Sequence, residues 1–373
     1  MNIWFYAMLF ILLLVLFGMT IFFYRMIKNI IEMIFGEQKN KKVTFLLIAI
    51  SLGIILFCIS IWNIGLLVLL HLMGFILVFS LINLVVKAIA KSNYENFIVW
   101  KKLQKCYVLP VISTMLVITY GYWNMYHVVQ TNYVVKTQKN IPKEGYRVAL
   151  LADIHFGVSI DIEGMKEVCE KVEKQNPDIV ILCGDIVDEN TTYQDMEQVF
   201  QVLGAIKSKY GVYYVYGNHD RQKYSGQPAF TNEDIMYSLS KNGITSLQDE
   251  KIQITNDLIL VGREDASVRN RTPLADLYKE VDKQDFILTL DHQPLEYKIN
   301  QELGTDLLLS GHTHAGQFFP VNLLMEVIPF GDAVYGVTKN DSFTAIVTAG
   351  VAGWKFPIKT SAPAEYVIIE IKS

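Results

Sequence analysis

Residues 43–86, VTFLLIAISLGIILFCISIWNIGLLVLLHLMGFILVFSLINLVV, carry no charged side chain. As one helix this run would be about twice the hydrocarbon thickness of a bilayer, at roughly 1.5 Å per residue. It has to fold back on itself, and Asn63-Ile64-Gly65 is the natural tight turn. Two more apolar runs, 3–24 and 106–123, the second with Pro110 near its start, bring the expected spans to four. Lipid leaves no open backbone group satisfied, so each span has to be a helix.

Charge divides the chain in the same place. Residues 1–125 hold ten Lys/Arg against Glu32, Glu37 and Glu95, a net of +7; the remainder holds twenty-three against thirty-four acids, a net of −11. A basic, apolar module (1–125) is therefore expected to lead through a linker (126–145) into an acidic, water-soluble domain (146–373). Both connecting segments, 25–42 and 87–105, carry five Lys/Arg, while the N-terminus and the 62–65 turn carry none. The positive-inside rule puts both segments in the cytoplasm, so the expected localisation is a multi-pass cell-membrane protein with its soluble domain extracytoplasmic. A cleaved signal peptide is disfavoured, because no basic segment precedes the first run and Arg25 and Lys28 follow it. Four cysteines, all within apolar patterns, read as buried free thiols.

The second half alternates strand and helix. YRVALLADIHFG, PDIVILCGDIVDEN and GVYYVYGNHD each run from an apolar strand into a polar loop, with helical periodicity between them. DFILTLDHQP and TDLLLSGHTH repeat the strand-to-loop pattern later. In such α/β arrangements, sites form outside the carboxyl ends of the strands. All five histidines after residue 150 sit at these ends: His155, His219, His292, His312 and His314. With them come Asp153, Asp185 and Asn218.

Imidazoles, carboxylates and an amide without thiolates suit borderline-to-hard divalent ions such as Mn²⁺, Fe²⁺, Zn²⁺ or Co²⁺. The donors exceed one tetrahedral site, so two ions are expected. Such a pair activates a water held between them and clamps a transferring phosphoryl group.

The ordered blocks D-x-H, G-D-x-x-D, G-N-H-D, H and G-H-T-H resemble the calcineurin-like metallophosphoesterase superfamily over about residues 146–371. The chain is most similar to a membrane-anchored bacterial subgroup like UDP-2,3-diacylglucosamine pyrophosphatase-like and exported phosphoesterases. The resemblance implies a four-layer αββα domain of two packed mixed sheets. It implies Asp153, His155 and His314 on one ion, Asn218, His292 and His312 on the other, and Asp185 bridging. It further implies His219 beside the leaving oxygen, Asp220 orienting His219, and hydroxide between the ions attacking phosphorus in line. Ala315 replaces the subgroup's usual second glycine. Lys359 stands where relatives often have arginine, a point charge in place of a bidentate fork.

Arg221, after the GNHD block, is by position the best placed of four arginines, with Arg263, Arg269 and Arg271, to reach a phosphate, and surface solvation is at least an equal reading for each; Lys359 is the other expected phosphate contact. Asp188 reads as a loop-capping carboxylate and Trp354 as a packing residue. The expected enzyme is a phosphodiester or pyrophosphate hydrolase working on a phosphorylated small-molecule or lipid-linked substrate at the bilayer. The alternative is a non-catalytic membrane receptor or scaffold on the same fold. Nucleic acid is disfavoured as a partner, because an acidic domain lacks the main driving force for binding a polyanion.

Overall fold

The computed structural model describes residues 3–37, 40–60, 64–328 and 331–373. It divides into two compact units, Met1–Thr119 and Tyr120–Ser373.

The first unit is helical: α1 (Ile3–Phe35), α2 (Lys41–Ser60), α3 (Ile64–Ala90) and α4 (Ile98–Lys105). Among the described residues, three stretches are long and apolar enough to cross a membrane: 41–58, 64–96 and 108–125. The first expected span lies in α1, where the side chains of 3–15 fall outside the description. Of the expected turn, Asn63 also lies outside the described residues, and α3 begins at Ile64. Met19, Phe23, Ile55, Leu69 and Leu72 form the buried centre. The basic segment 87–105 is ordered: a 3₁₀ turn, Lys91–Asn96, precedes α4. Asn83 fixes it to α3 by accepting from the Tyr94 hydroxyl (2.8 Å) and the Trp100 indole (2.9 Å).

The division falls inside α5 (Val108–Met125), whose last residues, from Tyr120, belong to the second unit. Next comes β1 (Val129–Lys136), within the segment expected to be a linker. It pairs in parallel with the C-terminal strand β12 (Glu365–Lys372), so that segment is corrected from tether to sheet edge. Its alternating Gln130, Asn132 and Val134 against Val129, Thr131, Tyr133 and Val135 allow one face to pack while the other meets water.

The first sheet has the order β1-β12-β2-β3-β4-β5, with β2 (Tyr146–Leu151), β3 (Ile179–Cys183), β4 (Val212–Val215) and β5 (Ile244–Ser246) parallel. The second has β6 (Glu250–Thr255), β7 (Leu258–Gly262), β8 (Phe286–Leu290), β9 (Leu307–Ser310), β10 (Gly336–Asn340) and β11 (Phe343–Val347). Its order is β10-β11-β9-β8-β7-β6, with β7, β8, β9 and β11 parallel.

Strand period decides the layers. Val148, Leu150, Ile179 and Ile181 face Leu258, Leu288, Leu307 and Leu309 between the sheets. The intervening residues Ala149, Leu151, Val180 and Leu182 face α6 (Ile162–Glu173), α7 (Tyr193–Gly204) and α8 (Asn232–Lys241). Those helices begin where the sequence supplies caps: Asp161 accepts from the Gly164 amide, and Thr192/Asp195 and Thr231/Asp234 are capping boxes. Short α9 (Leu274–Leu277) and α10 (Tyr297–Leu303) cover the outer face of the second sheet. The domain is the expected αββα sandwich.

Because β1 is hydrogen-bonded along its length, alternate amides between Val129 and Thr137 are expected to exchange slowly in hydrogen–deuterium exchange of the full chain. Exchange at the rate of an unstructured tether would remove the strand.

Candidate metal centre

Five strands end at one place. From the first sheet, β2 delivers Asp153 and His155, β3 delivers Asp185, and β4 delivers Asn218 and His219. From the second, β8 delivers His292 and β9 delivers His312 and His314. The turns that aim these side chains are strained. Asp153, His155, Asp185, His312 and His314 have φ of 52°, 41°, 52°, 73° and 49°. Non-glycine residues in this left-handed region cost on the order of 1–3 kcal/mol each and persist where the surroundings hold them.

Here the loops hold one another. The Asp153 amide donates to the Gly184 carbonyl and the His155 amide to that of Asp185, each at 3.0 Å. The His312 amide donates to the Asp153 carboxylate at 2.9 Å. The glycines preceding the blocks permit this closeness: a Cβ on Gly217 would stand 2.2 Å from Asp185 Oδ1, and one on Gly311 2.3 Å from Asp153 Oδ2.

Two donor groups result. Asp153, His155 and His314 form one; Asp185, His292 and His312 form the other; each set of donor atoms lies within 4.8 Å. Asp185 stands between them, with Oδ2 3.1 Å from His292 Nε2 and 3.8 Å from His155 Nε2. The Asn218 Oδ1 atom is buried without a hydrogen-bond partner, as is His292 Nε2.

These donors fit metal ions and little else. His155 Nε2 and His314 Nε2 face each other at 3.2 Å, and His314 Nε2 is 3.5 Å from Asp153 Oδ1. His292 Nδ1 is spent on the Cys183 carbonyl at 2.8 Å, which leaves its Nε2 directed at a carboxylate. Lone pairs and negative oxygens packed this closely need positive charge between them. Burial holds the His312 imidazole down to about 4, and His314 well below its ordinary value, so both keep lone pairs for ligation. Burial also pushes the Asp153 carboxyl up to about 6, so a cation beside it would favour its charged form. All donors are nitrogen or oxygen. The nearby Cys183 thiol makes a 3.4 Å contact to the Leu309 carbonyl.

Beyond the seven expected donors, several assignments change. Asp220 does not orient His219. Its carboxylate is fully buried and accepts from the amides of Asp185, Ile186, Val187 and Gly217, which ties the β3 and β4 loops together. Glu189 takes the orienting position, with Oε2 2.8 Å from His219 Nδ1. The only trace of Glu189 in the sequence is the acidic run DEN after G-D-x-x-D, which does not say which acid turns inward. Asp188 caps its loop through the Asn190 amide, and its Oδ2 also lies 3.3 Å from His155 Nδ1.

The two expected phosphate contacts are both committed elsewhere. Arg221 forks onto Glu264 (2.9 and 2.7 Å) and stacks on the Tyr216 ring at 3.7 Å. The Lys359 side chain is fully buried and donates to the carbonyls of Ala349, Gly350 and Ala352. That loop backs Asp153, since the Val351 and Ala352 amides donate to the carbonyls of Ala152 and Asp153. Both side chains are engaged within the protein in this structure. Arg263 and Arg271 share Glu296, while Arg269 is exposed. Trp354 is 40% exposed rather than packed, and its ring and that of Tyr224 lie 5.3 and 5.1 Å from the His219 ring.

Residues 146–316 match the family model for calcineurin-like phosphoesterases. The chain is 28% identical over 318 residues to a transmembrane protein with a metallophosphoesterase domain from Danio rerio, covering 81% of this chain and 70% of that protein. It is 31% identical over 231 residues to an uncharacterized metallophosphoesterase from Helicobacter pylori, covering 60% of this chain and 59% of that protein. The chain thus spans about three fifths of the Helicobacter protein's length. A dimetal phosphatase structure from Danio rerio aligns at 10% identity and a TM-score of 0.41, over 62% of this chain and 94% of that one.

Gly217→Ala is expected to lower bound metal by elemental analysis, because the added carbon meets the Asp185 carboxylate. Metal content equal to wild type would show that the loops can give way. A second outcome concerns Lys359, whose burial pulls it down to about 8. Between that value and the ordinary 10.5, the unfolded chain holds a proton that the folded chain lacks, so folding gains as pH rises through this interval. The difference in Tm, wild type minus Lys359→Met, should therefore become more positive from pH 8 toward pH 10. A flat difference would mean that the buried amine stays charged.

Proposed function

On the premise that the chain carries a calcineurin-like phosphoesterase domain at residues 146–316, we propose that it hydrolyses a phosphoester or phosphoanhydride with two divalent ions. We place this activity in a membrane-anchored protein with its domain extracytoplasmic, facing a lipid-linked or envelope substrate. The observation that carries the reading is Asp185, a buried carboxylate set between two three-residue donor groups.

Asp153, His155 and His314 would hold one ion; His292, His312 and the unpartnered Asn218 oxygen would hold the other, with Asp185 shared. When bound, such ions supply Lewis acidity toward phosphoryl oxygens and make water nucleophilic at neutral pH. The remaining chemistry falls to the chain. The His219 side chain is only 12% exposed and sits beside the donor groups, its ring 5.4 Å from that of His155. With Nδ1 held by Glu189, Nε2 is the ring atom that would pass a proton to a departing oxygen. Asp188 fixes the ring of His155 from behind, and Asp220 fixes the loop that carries Asp185.

The basic loops of the first unit support the orientation, and the transmembrane relative from Danio rerio supports membrane anchoring. A receptor or scaffold on this fold would not need the partly buried Glu189–His219 pair, whose geometry suits proton transfer.

The test is turnover of bis-p-nitrophenyl phosphate and of a phosphomonoester by the purified full-length chain reconstituted with Mn²⁺, Fe²⁺ or Zn²⁺. His219→Ala is expected to lower kcat by roughly 10²–10⁴-fold with metal content unchanged. Glu189→Gln should lose about 10–100-fold, the usual scale for removing an orienting partner. Wild-type chain that binds two ions and turns over neither ester would favour the receptor reading.

A further inference from the structure

The segment after the second histidine pair raises a separate question. From Gly316 the chain runs GQFFPVNLLMEVI, and α11 (Val321–Val327) occupies its second half. Leu323, Leu324, Val327 and Ile328 are all exposed, Val327 by 80%. They recur at i, i+1, i+4 and i+5, which puts them on one face of the turn, while Asn322 packs back onto Gly316. A water-soluble domain rarely leaves four large aliphatic side chains contiguous.

The stem that leads into this face is tied to the end of α5 through residues 359–362. The Thr360 amide donates to the Gln317 carbonyl and the Phe319 amide to the Thr360 hydroxyl, both at 2.9 Å. One residue earlier, the Lys359 amide donates to the Gly121 carbonyl at 3.1 Å. Asn124 Nδ2 donates to the carbonyls of Lys359 and Ala362, both at 2.8 Å. The segment carrying α11 is therefore fastened to the last residues of an apolar, span-length helix. That helix ends in Tyr120, Tyr122 and Trp123, with Tyr126 directly after it, each more than half exposed. A cluster of exposed Tyr and Trp at the end of an apolar helix is the composition that settles at the membrane–water boundary. The covering partner is thereby indicated: the lipid surface from which α5 emerges.

We infer that residues 318–328, with the aromatic end of α5, form a face seated in the bilayer, and that the substrate is an amphiphilic phosphoester drawn from that bilayer. The substrate half rests on the phosphoesterase reading above; the surface half does not. The link between them is covalent, since His312 and His314 lie four to sixteen residues before this face on the same chain. A face held at headgroup depth brings the donor groups toward phosphate, and a lipid chain can stay in the hydrocarbon while its phosphate reaches them. Soluble phosphoesters gain nothing from this arrangement.

Two measurements on the full-length chain in proteoliposomes separate the halves. The first attaches an environment-sensitive thiol dye at Val327→Cys, or at Glu233→Cys on α8, with labelled wild type as the blank. Lipids brominated along the acyl chain are expected to quench the Val327 probe at least about threefold more than the Glu233 probe, as for a side chain in the acyl boundary. Equal quenching overturns the surface. A blue-shifted but unquenched probe also overturns it, because protein, such as a second copy, would then cover the face. The second measurement uses Leu324→Glu/Val327→Glu. Hydrolysis of a long-chain phosphodiester in vesicles should fall about tenfold or more, as charge resists burial at that depth, while bis-p-nitrophenyl phosphate is cleaved as by wild type. Parallel loss on both substrates, or on neither, overturns the substrate assignment. Wild type inactive on both with metals bound would sink the phosphoesterase reading, and the quenching result would still decide the surface.

Discussion

Negative oxygens and imidazole lone pairs, forced together out of water, are the interaction that the second unit is organised around. Asp153 and Asp185 are buried, and each has an imidazole nitrogen within 3.5 Å. In the absence of positive charge this arrangement opposes folding. It persists because the surrounding backbone leaves it no room to relax. The loops cross-bond through Gly184, Asp185 and Asp220, and glycines stand where any side chain would strike a carboxylate. Strain in the turns and repulsion among the donors are thus both stored in a rigid frame, and a divalent ion relieves the second. Metal binding and stability should accordingly be linked.

The frame itself is apolar. Two sheets meet across Val148, Leu150, Leu288 and Leu309, and their carboxyl edges lie over one another. Consecutive parallel strands then deposit their loops side by side, so residues 159 positions apart in sequence come within hydrogen-bond distance. His155 and His314 are such a pair. The chemistry comes from the loops and the precision from the sandwich.

Much of this was legible in the chain. Five apolar strands each followed by an acid, amide or histidine constrain the reading strongly, because period-2 burial requires the polar residue to lie past the strand end. The four cysteines, read as buried free thiols, are free, three of them buried and Cys58 partly exposed. Long-range partners of charged side chains were not legible. Arg221 and Lys359 looked available because sequence shows their charge and not the Glu264 fork or the carbonyl cage that uses it. For the same reason the orienting role expected of Asp220 falls to Glu189. Both acids lie close to His219, and the local turn decides which one faces it. The strand β1 was hidden because an edge strand needs little hydrophobic pattern when its partner, β12, comes from the far end of the chain.

The amino-acid order alone determined the division into a basic apolar part and an acidic mixed one, the helical state of the uncharged runs, and the identity of the donor atoms. These depend on composition and on periods of 2 and 3.6 residues, which act over a few neighbours. Only the tertiary structure decided which acid orients His219 and which ties the β3 and β4 loops together. That choice is made by contacts between strands far apart in sequence, through burial and distance, and no local property of an aspartate distinguishes Asp153, Asp185, Asp188 and Asp220 before the sheets have packed.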